Sequence, residues 1–449
     1  MKLLRFVLFF GAVLALAWAT RPAPTAAAIH AMETIVAASG LDEDLEAIGY
    51  NSHRGEFLVI WQVREGANSD LYGRRAVMTP AFAWLGQAFV IANSSRAERN
   101  AAVAYNSNDG DFLVVYEYEW NANDIDLRGQ RVAGWAGGGD SGPSLDLKGG
   151  PFGIAESLSI ERSPDVAHFH AGQNFLVVYT VENATESDVF ARRVARRGLG
   201  DGGGELIGSV FPIAADFQRS EKEPTVITVS QQGYFLVAYA YAFGSGDFDI
   251  LGQRVHGTPQ PGSQLLNPAF DIAFSETSET EPDLAYSPSR QAVLAAWTSS
   301  SGGDSDVWGA WLDERILSGS ALIGASFTLA ADPVAVERGV VVDVDPTRAD
   351  SAPAALLTRQ ANAGAGERLG VLWLDPNPLA GVRILEPLYL FPERPFTFQQ
   401  PVLKVCHGKP GMLAGYSARF GVSPNTQDDA HLLPTTRWNV LLPLIRRGS

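Results

Sequence analysis

A block of about 59 residues recurs along this chain, and a repeat of that length leaves few folds open to it. Five segments align directly: AIGYNSHRGEFLVIW (47–61), AVAYNSNDGDFLVVY (102–116), DVAHFHAGQNFLVVY (165–179), TVITVSQQGYFLVAY (225–239) and DLAYSPSRQAVLAAW (283–297). After a polar loop, each is followed by a second block whose Asp falls at 70, 126, 188, 249 and 306. The steps are 56, 62, 61 and 57 residues, a mean of 59. Each unit reads as four short strands. Strand A (Val103-Ala104-Tyr105 is one example) turns through Asn, Asp or Gly into the apolar run of strand B, such as Phe112–Tyr116. A continuous apolar run of that length fits a strand buried on both faces. Strand C is the Asp-led block. Strand D is a short motif, seen at Phe89–Ala92, Phe152–Ala155, Phe211–Ala214, Phe270–Ala273 and Phe327–Ala330. No segment carries a helical period.

Four strands per 40–60 residues, repeated, is the pattern of propeller blades. The 417 residues from Glu33 to Ser449 hold seven such repeats. The sixth is recognisable at Ala354–Leu357 and Gly370–Trp373, and the seventh at Pro401–Val405 and Met412–Tyr416, with Trp438–Leu444 as its strand C. That last unit lacks a strand D. Glu33–Ala37 resembles the D motif, so the N-terminal strand is expected to complete the last blade and remove both sheet edges. The expected fold is therefore all-β: a seven-bladed β-propeller of four-stranded blades, ring closed by the N-terminal strand, with six blades as the alternative. The domain layout follows: 1–28 a signal peptide, 33–449 the propeller. Blades fall near 41–100, 101–163, 164–222, 223–281, 282–340, 341–400, and 401–445 plus 33–37.

The string carried by Ala104–Ser107, Phe112–Tyr116 and Asp126–Val132 resembles the repeat of bacterial secreted propeller proteins of the TolB-like or integrin-like kind. The resemblance covers nearly all of the chain beyond the leader. It implies a fold and little about activity, since propellers host enzymes, receptors and hubs alike.

Composition and the N-terminus bound the setting. Lys2 and Arg5, the apolar stretch Phe6–Ala19 and the small residues after it read as an export signal, giving a secreted or cell-surface protein. The apolar stretch is too short for a membrane span. The single cysteine, Cys406, rules out an intramolecular disulfide, so packing alone must hold the fold. A net charge of -16 repels phosphate backbones and anionic lipid, leaving proteins and carbohydrates as partners, with no nucleic acid. A monomer is expected.

Two acidic positions recur. One is the Asp heading strand C (Asp70, Asp126, Asp188, Asp249, Asp306). The other lies four residues before strand A: Glu43, Glu98, Glu161, Glu221, Glu279 and Glu337. In a propeller the B–C and D–A connections share one face, so both sets are expected to crowd there. Five residues after the Asp stands an Arg in four blades (Arg75, Arg131, Arg193, Arg254). Capping of backbone N–H groups and pairing with that Arg is the preferred reading. A ring of Ca²⁺ sites is the other reading, with Asp124, Asp247, Asp304 and Asn68 as second oxygens; no cofactor and no metal is the expectation. Function is sought where the repeat is broken. Tyr118 and Trp120 in one B–C loop, and Tyr241 and Phe243 in another, are expected to flank His168 as an aromatic ligand-binding patch. The sequence carries no nucleophile elbow, no HExxH and no sialidase boxes, so no catalytic residue is assigned. The expected function is an exported non-catalytic binding or scaffold protein. The alternative is a glycoside hydrolase or similar polysaccharide-active enzyme using inner-strand carboxylates such as Asp165 and Asp283.

Overall fold

The computed structural model describes residues 34–35, 41–78, 82–139, 145–197, 206–216, 218–244, 246–316, 321–333, 335–347, 353–360, 367–374, 384–390, 396–405, 412–420 and 428–435. The expected leader (1–28) and Trp438–Leu444 lie outside the described residues. Among those residues every regular element is a strand.

After β1 (Thr34–Ile35), the strands fall into successive antiparallel groups of four. Blade 1 is β2 (Asp42–Asn51), β3 (Glu56–Glu65), β4 (Asn68–Val77) and β5 (Ala83–Ala92). Blade 2 is β6 (Ala97–Asn106), β7 (Asp111–Asn121), β8 (Asp124–Ala133) and β9 (Leu147–Ala155). Blade 3 is β10 (Ile160–Phe169), β11 (Asn174–Glu182), β12 (Ser187–Ala195) and β13 (Leu206–Ala214). Blade 4 is β14 (Glu221–Val229), β15 (Tyr234–Gly244), β16 (Asp247–His256) and β17 (Leu265–Ala273). Blade 5 is β18 (Ser278–Ser287), β19 (Ala292–Ser301), β20 (Asp304–Asp313) and β21 (Leu322–Ala330). Blade 6 is β22 (Val336–Asp343), β23 (Ala354–Gln360), β24 (Glu367–Leu374) and β25 (Ile384–Leu390). The last group is β26 (Phe396–Val405), β27 (Met412–Phe420) and β28 (Asp428–Thr435), with β1 paired antiparallel to β28 through Thr34↔Leu432 and Ile35↔His431. A single parallel bridge, Ile160↔Ile125, joins blades 2 and 3 into one sheet. The first strands of successive blades touch in order, and β26 touches both β22 and β2.

The core lies between blades. Leu58 and Ile60 of β3 pack with Phe112 and Val114 of β7, while Leu113 and Val115, facing the other way, pack with Val166 and Phe175 of blade 3. A strand B pressed on both sides has no solvent face to make polar, which is why it reads as an unbroken apolar run. The glycine of each YGQRV-like block has the same origin. A Cβ on Gly129 or Gly252 would come within 2.6 or 2.5 Å of the Phe152 or Phe270 ring on the neighbouring strand D.

Two boundaries differ from the sequence reading. Strand A begins about five residues earlier than expected, so the recurrent Glu lies inside it. The register breaks at a bulge residue with positive φ: Asn100 (49), Ser163 (53), Glu223 (55), Glu281 (54) and Gly339 (62). The bulge interrupts the period-two pattern, and only the part beyond it is legible as a strand. The third strand of the last group is Asp428–Thr435, upstream of the expected Trp438–Leu444.

Candidate functional site

Register fixes which ends of the strands share a face. Glu98, near the start of β6, opposes Tyr118 near the end of β7, whereas Asn106 opposes Asp111 at the other end. The B–C and D–A connections therefore form one face (the BC face), and the A–B and C–D connections the other (the AB face).

On the BC face the two recurrent acids meet across blades, as the spacing predicts. The Asp of one blade acts as a nearby like charge on the Glu of the next: Asp70 on Glu98, Asp126 on Glu161, Asp188 on Glu221 and Asp306 on Glu337, with Glu279 acting on Asp249. All six Glu are buried. Burial, and then the neighbouring acids, pushes Glu161, Glu221 and Glu337 up to about 7. Some oxygens accept from the adjoining loop: the Ser94 amide donates to Glu98 (3.2 Å), and the Ser157 hydroxyl to Glu161.

The recurrent Arg is not their partner, which corrects the sequence reading. Five positions along a strand put Asp and Arg on opposite sides and roughly 16 Å apart. Each Arg instead reaches, near the AB face, into the next blade. Arg75 donates to Ala133 O (2.5 Å) and Asp146 Oδ1 (2.5 Å), Arg131 to Arg196 O (2.6 Å), Arg193 to His256 O, and Arg254 to Ile316 O (2.5 Å). These buried guanidiniums bind carbonyls at the end of the neighbouring strand C. Desolvation lowers their pKa, that of Arg193 to about 10.

The aromatic residues separate. Trp120 is 39% exposed and donates its Nε1–H to Asp126. Tyr118 is buried beneath it, with the Arg128 guanidinium 3.6 Å from its ring centre. Phe243 is 39% exposed; Tyr241, half-buried, donates its hydroxyl to Asp216 (3.0 Å). Phe274, which the sequence reading missed, stands 66% exposed with its ring 5.4 Å from Phe243. Its signal was present as an aromatic directly after a strand D motif. His168 does not join them. It opposes Phe175 toward the AB end of β10, half-buried in the wall of a cavity, where burial lowers it to about 4. A strand of ten residues separates the two sets.

The first strands line a central cavity of about 600 Å³. Its carboxylates tie adjacent blades together. Asp165 accepts from Val226 N (2.7 Å) and the Thr225 hydroxyl (3.0 Å), Asp283 from Val342 N (2.7 Å), and Asp343 from Val405 N (2.7 Å). Burial raises Asp283 to about 7, and Asp165 adds to the rise. Glu46 stands where three other blades place Pro164, Pro224 and Pro282. It accepts from Ala101 N (2.9 Å), and burial lifts it to about 7. Among the described residues no group of three or more His, Cys, Asp or Glu side chains is placed to hold a metal ion, and no helix is long and apolar enough to cross a membrane.

No family model and no curated protein sequence matches the chain. Solved structures do. The polysaccharide lyase Uly1 is 9% identical with a TM-score of 0.52, over 90% of this chain and 99% of that one. The Dos1 propeller (9%, TM-score 0.46) matches over 90% and 94%, and the NanB sialidase of Streptococcus pneumoniae (9%, TM-score 0.46) over 94% and 72%. At such identities the likeness to Uly1 speaks for the fold. Together with the four-stranded antiparallel sheets it defines the class as a β-propeller.

Proposed function

We propose that this chain is an exported carbohydrate-binding β-propeller of seven blades, closed by β1 as the outer strand of the last blade. It acts as a monomer and holds a glycan without catalysis on its BC face. Export rests on the leader pattern of residues 1–28, and ring closure on the β1–β28 pairing and the contact of β26 with β2. One observation carries the ligand reading. Among the described residues, Leu41, Trp120, Leu158, Phe243 and Phe274 all stand exposed on the BC face, beside Arg96, Arg219 and the recurrent acids. Flat rings beside carboxylates and guanidiniums suit a sugar, whose C–H face stacks while its hydroxyls are bonded at the edge. The likeness to the polysaccharide lyase Uly1 makes polysaccharides the first ligands to try. A glycan array and affinity electrophoresis test the reading: retardation by at least one polysaccharide is expected. Free migration on every polysaccharide would refute it.

A second reading has its own observation. Asp165 and Asp283 face the cavity, and Asp283 is held toward its neutral form, as a general acid would be. Polysaccharide cleavage by the wild type, lost in Asp283→Asn, would favour an enzyme; substrates left intact by the wild type would remove it.

A further inference from the structure

At the junction between blades 4 and 5 two buried acids meet and, among the described residues, neither forms an ion pair; at the next junction the Glu has one. Asp249, on β16, is 1% exposed, and Glu279, second residue of β18, is 2% exposed. Asp249 Oδ1 accepts from Ser275 N (3.2 Å), and Glu279 Oε1 from the Thr277 hydroxyl (2.8 Å) and the Ser275 hydroxyl (2.5 Å). The other oxygens, Asp249 Oδ2 and Glu279 Oε2, are buried and meet no donor. The two carboxyl groups lie within hydrogen-bond reach of each other, and the other prominent charge on Asp249 is Asp247, also negative. Asp247 Oδ1 is likewise buried and without a donor. Two buried carboxylates in contact cannot both stay ionised unless something positive joins them.

At the next junction a cation reaches the Glu. Arg359 Nε lies 3.0 Å from Glu337 Oε1, and its guanidinium also pairs with Asp332. In strand register Arg359 opposes Glu337 as Ser299 opposes Glu279. Blade 6 therefore fills with a long cation the place that blade 5 gives to a short hydroxyl, whose Oγ lies 3.5 Å from Glu279 Oε1. The groups gathered at blade 5 are all oxygens: the carboxylates and the hydroxyls of Ser275, Thr277 and Ser299.

We propose that the junction of blades 4 and 5 is a site for a hard divalent cation, Ca²⁺ foremost, ligated by Asp249 and Glu279 with neighbouring hydroxyls, carbonyls and water. An all-oxygen set with two carboxylates is the donor chemistry Ca²⁺ takes; it needs six to eight such atoms. Occupancy ties β16 to β18 and fixes the loop that carries Phe274, whatever the face binds.

Calorimetric titration of Ca²⁺ into the chelator-treated full chain, with thermal melts run in parallel, tests the site. The wild type is expected to bind Ca²⁺ and to melt several degrees higher in its millimolar presence. Asp249→Asn and Glu279→Gln should weaken binding at least tenfold. Ser299→Arg, which copies blade 6 and supplies its own cation, should fold, melt at or above the chelated wild type, and no longer respond to Ca²⁺. Glu337→Gln should leave the titration unchanged. A wild type with no Ca²⁺ heat and a melting temperature that depends only on pH would overturn the site, because the pair would then be sharing a proton. A full Ca²⁺ response retained by Ser299→Arg would overturn it as well.

Discussion

The two ends of each crevice between blades are closed by opposite chemistry. Toward the AB face a buried Arg donates to the carbonyls of the next strand C, as Arg131 does to Arg196 O and Arg254 to Ile316 O. Toward the BC face a buried Glu meets the Asp of the preceding blade, and several of their oxygens have no donor. The first arrangement is met largely from within the chain: the terminal N–H groups of each guanidinium donate to backbone carbonyls, while Nε of Arg75 and Arg131 is buried without a partner. The second leaves negative charge to be met from outside, by a proton, a cation or a ligand. One end holds the blades together, and the other is where the molecule can respond.

The sharpest way to break this contrast is to remove one group from each end. Arg254→Ala should cost about 3 kcal/mol in urea denaturation, because the charge-assisted bond of a buried guanidinium and its packing on the Phe270 ring are lost. Glu161→Gln should cost less than about 1 kcal/mol at pH 7, since the carboxyl it replaces is already about half neutral there. Equal losses would erase the distinction between the ends.

A smaller effect should appear with pH. Glu161, Glu221 and Glu337 rise in the folded state from 4.5 to about 7, so the folded chain holds more protons than the unfolded one across that interval. Stability therefore falls as pH rises from about 4.5 to 7. In chelator the urea midpoint at pH 5.5 should exceed that at 7.5, and the triple Gln variant should flatten the difference. A midpoint that climbs with pH would mean that the acids are paired with cations in the folded chain.

Smallest of all should be the stability change from trimming the rim. Trp120→Ala with Phe243→Ala should shift the midpoint by less than about 1 kcal/mol, since much of each ring already faces solvent. Tyr118→Ala, which removes a buried ring under Arg128, should cost several times more. A rim pair as costly as Tyr118 would make those rings part of the packing.

Much of the fold was legible because the repeat samples the same physics several times. Phe112–Tyr116 and its counterparts are apolar on both sides because both sides are buried. Asp126 and Glu161 share a face because their connections do. What stayed hidden depends on partners across blades, which one strand's sequence does not name. Arg131 was read against Asp126 on its own strand, while its acceptors lie in blade 3. Tyr118 and Trp120 look alike as neighbours in a loop, and only the third dimension puts one beneath Arg128 and the other in solvent. His168 shares a blade with the acidic end but sits toward the opposite end of its strand.

The claim that ligand binding belongs to the BC face has a matched control in the molecule. Trp135, at 40% exposure, lies in a C–D loop of the AB face, and Trp120, at 39%, lies in a B–C loop. Affinity for a polysaccharide retained by the wild type should fall at least tenfold in the Trp120→Ala/Phe274→Ala variant and stay unchanged in Trp135→Ala. The reverse pattern, with Trp135→Ala losing affinity while the double variant keeps it, would place binding on the AB face.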